Sequence, residues 1–195
     1  MRLLPLVLPL VLPAALLAQD RRLVERLDTG TAAAVQQIVD SAARAGLPTE
    51  PLVQKALEGS TLGAPGDRIQ AAVAALRGQL GRAREALGAR ADEAELTTAA
   101  GALRAGLPTS ALRRLQDLRS GRPLVVPLAV LTDLVTEGVP PEEATSSVLA
   151  LARQGRPDDE FVALRREVQS RRRGAPAGPL DRPTLQPAPD PPAER

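Results

Sequence analysis

The first candidate for chemistry in this chain is an amine, because Lys55 is the one lysine beside 24 arginines. A lone lysine can form a Schiff base with a carbonyl compound when burial lowers the pKa of its amine. The alternative is an exposed lysine that pairs with Glu58, three residues further along the same helix. Because lysines are ordinarily surface residues, we favour the ion pair.

Runs of adjacent acids are the second candidate, at Glu142-Glu143 and Asp158-Asp159-Glu160. Neighbours on a helix point about 100° apart, so they do not converge on one substrate atom. A glycosidase needs two carboxylates that face each other across a cleft, usually beside aromatic sugar platforms. Phe161 is the single aromatic residue of the chain. We therefore expect these acids to stabilise the first turns of helices through the helix dipole.

Composition excludes most other chemistry. The chain has no Cys, His, Trp or Tyr, so it lacks thiolate nucleophiles, imidazole bases and Cys/His metal cages. No EF-hand or calcium-binding repeat is present, and the turn at residues 59–63 lacks the Lys-Ser/Thr pair of a phosphate-binding loop. A net charge of +2 and one aromatic residue give no case for nucleic acid. We predict no catalytic residue, no cofactor and no metal.

The strongest charge feature is a C-terminal arginine cluster. It could bind anionic lipid headgroups or an acidic partner. Alternatively, arginines at the end of a helix satisfy the helix dipole and then enter solvent, which is the reading we favour. This candidate patch for an anionic partner consists of Arg165, Arg166, Arg171, Arg172 and Arg173.

The N-terminus has the layout of a secretory signal peptide: Arg2, then an apolar run from Leu3 to Ala18. The run has 16 residues, fewer than the roughly 20 needed to span a bilayer, and three prolines interrupt it. We predict cleavage after Ala18 and export to the periplasm or the medium. Loss of Arg2 lowers the net charge to +1.

A repeated Gly-x-Pro tripeptide divides the body of the chain. A left-handed Gly ends one helix, and Pro fits at the start of the next. Three of the five spacings are 17 residues, which is one helix plus one turn. Two such units equal the 34 residues of a tetratricopeptide repeat, but the aromatic residues and internal glycine of that pattern are missing. The tripeptides begin at Gly46, Gly63, Gly106, Gly121, Gly138 and Gly155.

Apolar residues recur at helical spacing between these tripeptides, and strand-like alternation is absent. We expect Thr49 and Thr109 to cap helices, Asp92 and Glu95 to form a capping box, and Gly78 and Gly81 to weaken one helix. The predicted helices are 31–45, 49–58, 66–87, 91–105, 109–119, 124–137, 141–154 and 158–172, with a short helix near 20–27.

Part of the chain resembles exported bacterial α-helical proteins of uncharacterised function. The likeness covers roughly residues 41–155. It rests on Ala45-Gly46-Leu47-Pro48, the segment Lys55 to Gly59 and the segment Ile69 to Val73, with echoes at residues 105–108 and 137–140. It implies the same helical fold and brings no activity with it.

These patterns predict an all-α, single-domain protein of about eight short antiparallel helices, in hairpins joined by Gly-x-Pro turns. The expected divisions are a signal peptide at 1–18, a helical domain at 19–173 and a disordered Pro-rich tail at 174–195. We predict an exported, non-enzymatic interaction or scaffold protein with a protein partner. The alternative is an envelope-associated protein that contacts an anionic membrane surface weakly through the C-terminal arginine cluster.

Overall fold

A computed structural model describes the backbone of residues 21–174 and the side chains to residue 172. Within that range the protein is all-helical and has no strand, as predicted. Residues 21–26 form α1. The helices that follow are α2 (Thr29–Arg44), α3 (Glu50–Thr61), α4 (Gly66–Leu87), α5 (Glu93–Arg104), α6 (Thr109–Leu118), α7 (Val125–Thr136), α8 (Pro141–Arg153) and α9 (Asp158–Gly174).

The glycine of every predicted Gly-x-Pro turn has a left-handed backbone. At Gly106, φ is +94°, a conformation that costs glycine little because it lacks a Cβ. The residue after the glycine bonds back into the helix, and the N–H of Leu107 donates to the carbonyl of Ala102 at 3.1 Å. Leu107 itself is buried, so the turn ends one helix and adds an apolar side chain to the core. The same backbone is found at Gly46, Gly63, Gly121, Gly138 and Gly155.

Helices pack most consistently against the helix two positions further along the chain. One layer contains α2, α4, α6 and α8, and in the other α5 packs on α7 and α7 on α9. Neighbours within a layer are parallel. Arg165 of α9 bonds to Asp133 of α7, and Gln169 bonds to Glu137 one turn further along both helices. Helical hairpins therefore stack side by side, as in helical repeat proteins.

Hydrogen bonds between successive hairpins reflect a repeat of about two helices. The bonded side chains are separated by 28 residues for Arg22 and Glu50 and by 39 residues for Arg119 and Asp158. Ser60 and Arg26 lie 34 residues apart, as do Arg172 and Gly138. The 17-residue sequence period thus becomes a structural period of about 34 residues without the tetratricopeptide sequence pattern.

The core consists mainly of Leu, Val and Ala. Phe161 on α9 is fully buried, and Leu112 and Leu115 place one face of α6 in the same core. Small aliphatic side chains allow close helix packing and account for a folded domain without aromatic layers or disulfides.

One local prediction was wrong. Thr109 is the first residue of α6, while Pro108 occupies the capping position. Helix α4 spans the predicted residues 66–87 and includes Gly78 and Gly81, and that these glycines weaken it stays a prediction. Helix α3 ends at Thr61, three residues beyond its predicted end, and therefore includes Gly59. A Cβ at Gly59 would lie 2.9 Å from Ile69 Cγ1, so this glycine permits close packing of α3 on α4.

Other local predictions were confirmed. Asp92 and Glu95 form the expected capping box at the start of α5. Thr49 occupies the predicted capping position of α3, but its side chain makes no capping hydrogen bond there. The predicted start of the tail differs by one residue, because helix α9 includes Gly174, the first residue of the predicted tail. The predicted signal peptide and residues 175–195 lie outside the described residues.

Candidate functional site

The C-terminal arginine cluster lies on α9, where its members have different surroundings. Arg165 forms an ion pair with Asp133 of α7 at 2.7 Å, with the two side chains 35% and 41% exposed. Arg171 pairs with Glu167 on its own helix at 2.5 Å. Arg166 is exposed, and the side chain of Arg173 lies outside the described residues.

Arg172 binds the end of the neighbouring helix. Its guanidinium donates to the carbonyl of Glu137 and, at 2.9 Å, to the carbonyl of Gly138. These carbonyls lie where α7 ends, so a cation there also interacts favourably with the helix dipole. Two of the five arginines therefore fasten α9 to α7. That all five arginines form a binding patch for an anionic partner stays a prediction.

A buried arginine that the sequence analysis missed lies between the last hairpins. Arg119, at the end of α6, is 2% exposed. It donates to Asp158 Oδ1 at 2.5 Å, to the carbonyl of Arg156 at 3.0 Å and to that of Pro123 at 3.3 Å. Its Cζ lies 5.0 Å from the ring centroid of Phe161, within cation–π range. The charge is thus held by a carboxylate, two carbonyls and the ring.

A second arginine joins the same two turns. Arg122 belongs to the Gly121 tripeptide, and its guanidinium donates to the carbonyl of Gly155 at 3.0 Å. Arg84 makes an equivalent contact in the first half of the domain, with the carbonyl of Gly46 at 3.1 Å. Arginines thus bond to carbonyls at four of the left-handed glycines, at Gly46, Gly88, Gly138 and Gly155. This accounts physically for part of the arginine content of the chain.

Lys55 lies in a shallow groove between α3 and α5. Its Nζ is 2.8 Å from Glu58 Oε2, so the predicted ion pair is present. The hydrogen bond and charge of Lys55 lower the pKa of Glu58, with a further contribution from the charge of Arg104. The lysine side chain is 31% exposed. This arrangement is the i, i+3 ion pair of an ordinary helix surface.

The acidic runs separate in the fold. Asp158 binds Arg119, and Glu160 Oε1 lies 3.8 Å from Nη1 of Arg156, which belongs to the turn before α9. Glu142 lines a groove on the other layer. Over residues 21–174, no three acidic side chains are grouped so that they could hold a metal ion.

That groove, the α6–α8 groove, runs between two parallel helices. Its main part has a volume of about 470 Å³ and is lined by Pro108 and Pro141 at one end and by Arg153 at the other. It continues into a further 310 Å³ beside Leu118, which is 38% exposed. The floor includes the buried Leu149. Such a surface can hold an extended peptide with both apolar and charged side chains.

Comparisons with known proteins identify no relative: no family model, curated protein or solved structure matches the chain. None of the helices in the described part is long and apolar enough to cross a bilayer.

Proposed function

We propose that this chain is an exported, non-enzymatic helical scaffold that binds a protein partner and works without a cofactor, metal or nucleic acid. Export depends on residues 1–18 and follows from the sequence pattern alone.

The observation that carries the scaffold proposal is the set of arginine contacts between stacked hairpins. Arg119 and Arg122 hold the turn before α7 against the turn before α9, while Arg165 and Arg172 hold α9 against α7. Stacked hairpins of this kind form extended surfaces that other helical repeat proteins use for binding. Of the five arginines that suggested a surface binder, Arg165 and Arg172 contact α7, and Arg171 pairs with Glu167 on its own helix.

Envelope attachment through the C-terminal arginine cluster is the second candidate. The exposed Arg166 favours it, because it is free to face an anionic surface. Each such arginine contributes up to about 1 kcal/mol near anionic lipid, and the attraction weakens with salt.

Co-sedimentation with anionic vesicles distinguishes the candidates. The chain is compared with a variant in which the five cluster arginines are Gln. A control variant carries the same charge change at exposed arginines that have no partner among the described residues: Arg44, Arg68, Arg82, Arg90 and Arg113. Circular dichroism confirms that each variant folds.

We expect little binding of any form at physiological salt. A partner purified with the chain should remain bound at moderate salt and to the cluster variant, because apolar contact holds it. Salt-sensitive vesicle binding that only the cluster variant loses would replace the scaffold with the envelope-attached protein. Intact-mass analysis of the secreted chain tests export separately, and a form that retains Met1 to Ala18 contradicts cleavage.

A further inference from the structure

The α6–α8 groove has charges that the described part of the protein does not neutralise. Arg114 of α6 and Arg153 of α8 line it, are exposed and have no hydrogen-bond or ion-pair partner among the described residues. Asp117 lies beside them at the same end of the groove, next to Leu118 and Leu149. An occupant that matches this end needs an aliphatic side chain followed closely by an acid and a base.

The last described residues leave the fold near the other end of the groove. Arg172 is bonded to the carbonyl of Gly138, and α8 begins three residues after that glycine, at Pro141. Pro141 lines the groove. The chain beyond Gly174 therefore starts close to the end of the groove where α6 and α8 begin.

The sequence beyond Gly174 has the required order of side chains. Leu180, Asp181 and Arg182 are consecutive, and prolines at 176, 179 and 183 favour an extended backbone. At about 3.1 Å per residue, seven residues from Gly174 to Asp181 span about 22 Å. Helix α8, with 13 residues, is about 20 Å long. Asp181 can thus reach the end of the groove that contains Arg153.

We propose that residues 175–186 bind in the α6–α8 groove of their own chain, with Leu180 on Leu149 and Leu118 and with Asp181 between Arg114 and Arg153. Arg182 then faces Asp117. A tethered segment has an effective concentration in the millimolar range, so even weak complementarity fills the groove. Any other ligand of this groove must displace the segment. The proposal differs from the expectation of a wholly disordered tail, which rests on composition alone, and it does not depend on the proposed function.

Spin labels test the contact directly, because the chain has no cysteine and each introduced cysteine is labelled uniquely. Cysteines replace the exposed Glu143 on α8 and Thr184 in the tail, and double electron–electron resonance measures the distance between the labels in the full chain. We expect a narrow distance distribution. Asp181→Arg should broaden it, and adding Arg114→Asp and Arg153→Asp to that variant should restore the narrow component. Asp190→Arg, which changes a tail acid outside the bound segment, is the matched control and should change nothing.

Three results would overturn the proposal. The first is a broad distribution in the chain without charge reversals. Another is a narrow distribution that survives Asp181→Arg, which would place the tail elsewhere. The third is a narrow component that disappears on dilution with unlabelled protein, which would assign the contact to a second copy.

Discussion

Arg119 and Asp158, which lie 39 residues apart in sequence, form an ion pair between the end of α6 and the start of α9. The arginine side chain is 1% exposed and the aspartate side chain is 40% exposed. The pair is therefore asymmetric, with a buried cation held by an acid that water still reaches. The aspartate is the first residue of α9, where its negative charge also interacts favourably with the helix dipole.

Replacement of Arg119 by Ala should destabilise the domain by about 2–4 kcal/mol. It leaves the carbonyls of Arg156 and Pro123 without this donor and opens a void beside Phe161. Urea denaturation followed by circular dichroism measures the change. Arg68→Ala, at an exposed arginine on α4, is the control and should stay within about 0.5 kcal/mol. Equal stability of the two variants would contradict a role for Arg119 in joining the hairpins.

Two glycines of α5 and its following turn provide a matched pair. Gly106 has φ of +94° and Gly101 is helical, and an added Cβ meets nothing within 4 Å at either. Gly106→Ala should cost on the order of 1 kcal/mol because of its left-handed backbone alone. Gly101→Ala should instead stabilise by about 0.5–1 kcal/mol, since alanine favours the helix. Thermal melts should show a lower melting temperature for Gly106→Ala and a higher one for Gly101→Ala. Melting temperatures that shift in the same direction would contradict the left-handed backbone at Gly106.

Acid should weaken the start of α2 through Asp28. The hydroxyl of Thr31 and its backbone N–H donate to the Asp28 carboxylate, and these bonds lower the pKa of Asp28 below its ordinary value. The unfolded chain then binds the proton more readily than the folded one. The contribution of Asp28 to stability is present above about pH 4 and is lost as the pH falls through the lowered pKa.

The melting temperature of Asp28→Asn tests this contribution. Asparagine also caps helices but does not titrate, so the melting temperature of the unchanged chain should fall towards that of the variant below about pH 4. A difference between the two chains that stays constant from pH 7 to the acid limit would contradict the prediction.

Sequence reading located most helices because their ends are determined locally. A glycine that adopts positive φ and a proline without an N–H act within three residues, and the glycines at 106 and 138 both have the predicted backbone. The prediction ended α3 at residue 58, before Gly59, whereas the helix runs to Thr61 and its Gly59 leaves room for Ile69 of α4. A single sequence contains no local signal for that contact.

The environments of the arginines could not be predicted for the same reason. The partners that surround Arg119 include Arg156 and Asp158, which lie 37 and 39 residues away in sequence. Arg119 and Arg113 therefore look alike in sequence, although only Arg119 is buried. The one usable signal is the repeated Gly-Arg-Pro at Gly121 and Gly155, whose turns the structure brings together. The α6–α8 groove depends on the packing of two separate helices, so no local pattern predicted it.

The last prediction concerns Arg165, which belongs to the C-terminal arginine cluster and also contacts α7. If the ion pair with Asp133 helps to hold α9, a double-mutant cycle with Arg165→Gln and Asp133→Asn should give a coupling energy of about 0.5 kcal/mol. Both side chains are partly exposed, so the coupling should decrease as salt is added. Arg166→Gln, one residue further along and exposed, is the matched control and should show no coupling with Asp133→Asn. Denaturation at low and moderate salt provides the energies. A coupling energy of zero would mean that Arg165 does not help to hold α9 on α7. Its charge would then be available to an anionic surface, which would strengthen the case for envelope attachment through the C-terminal arginine cluster.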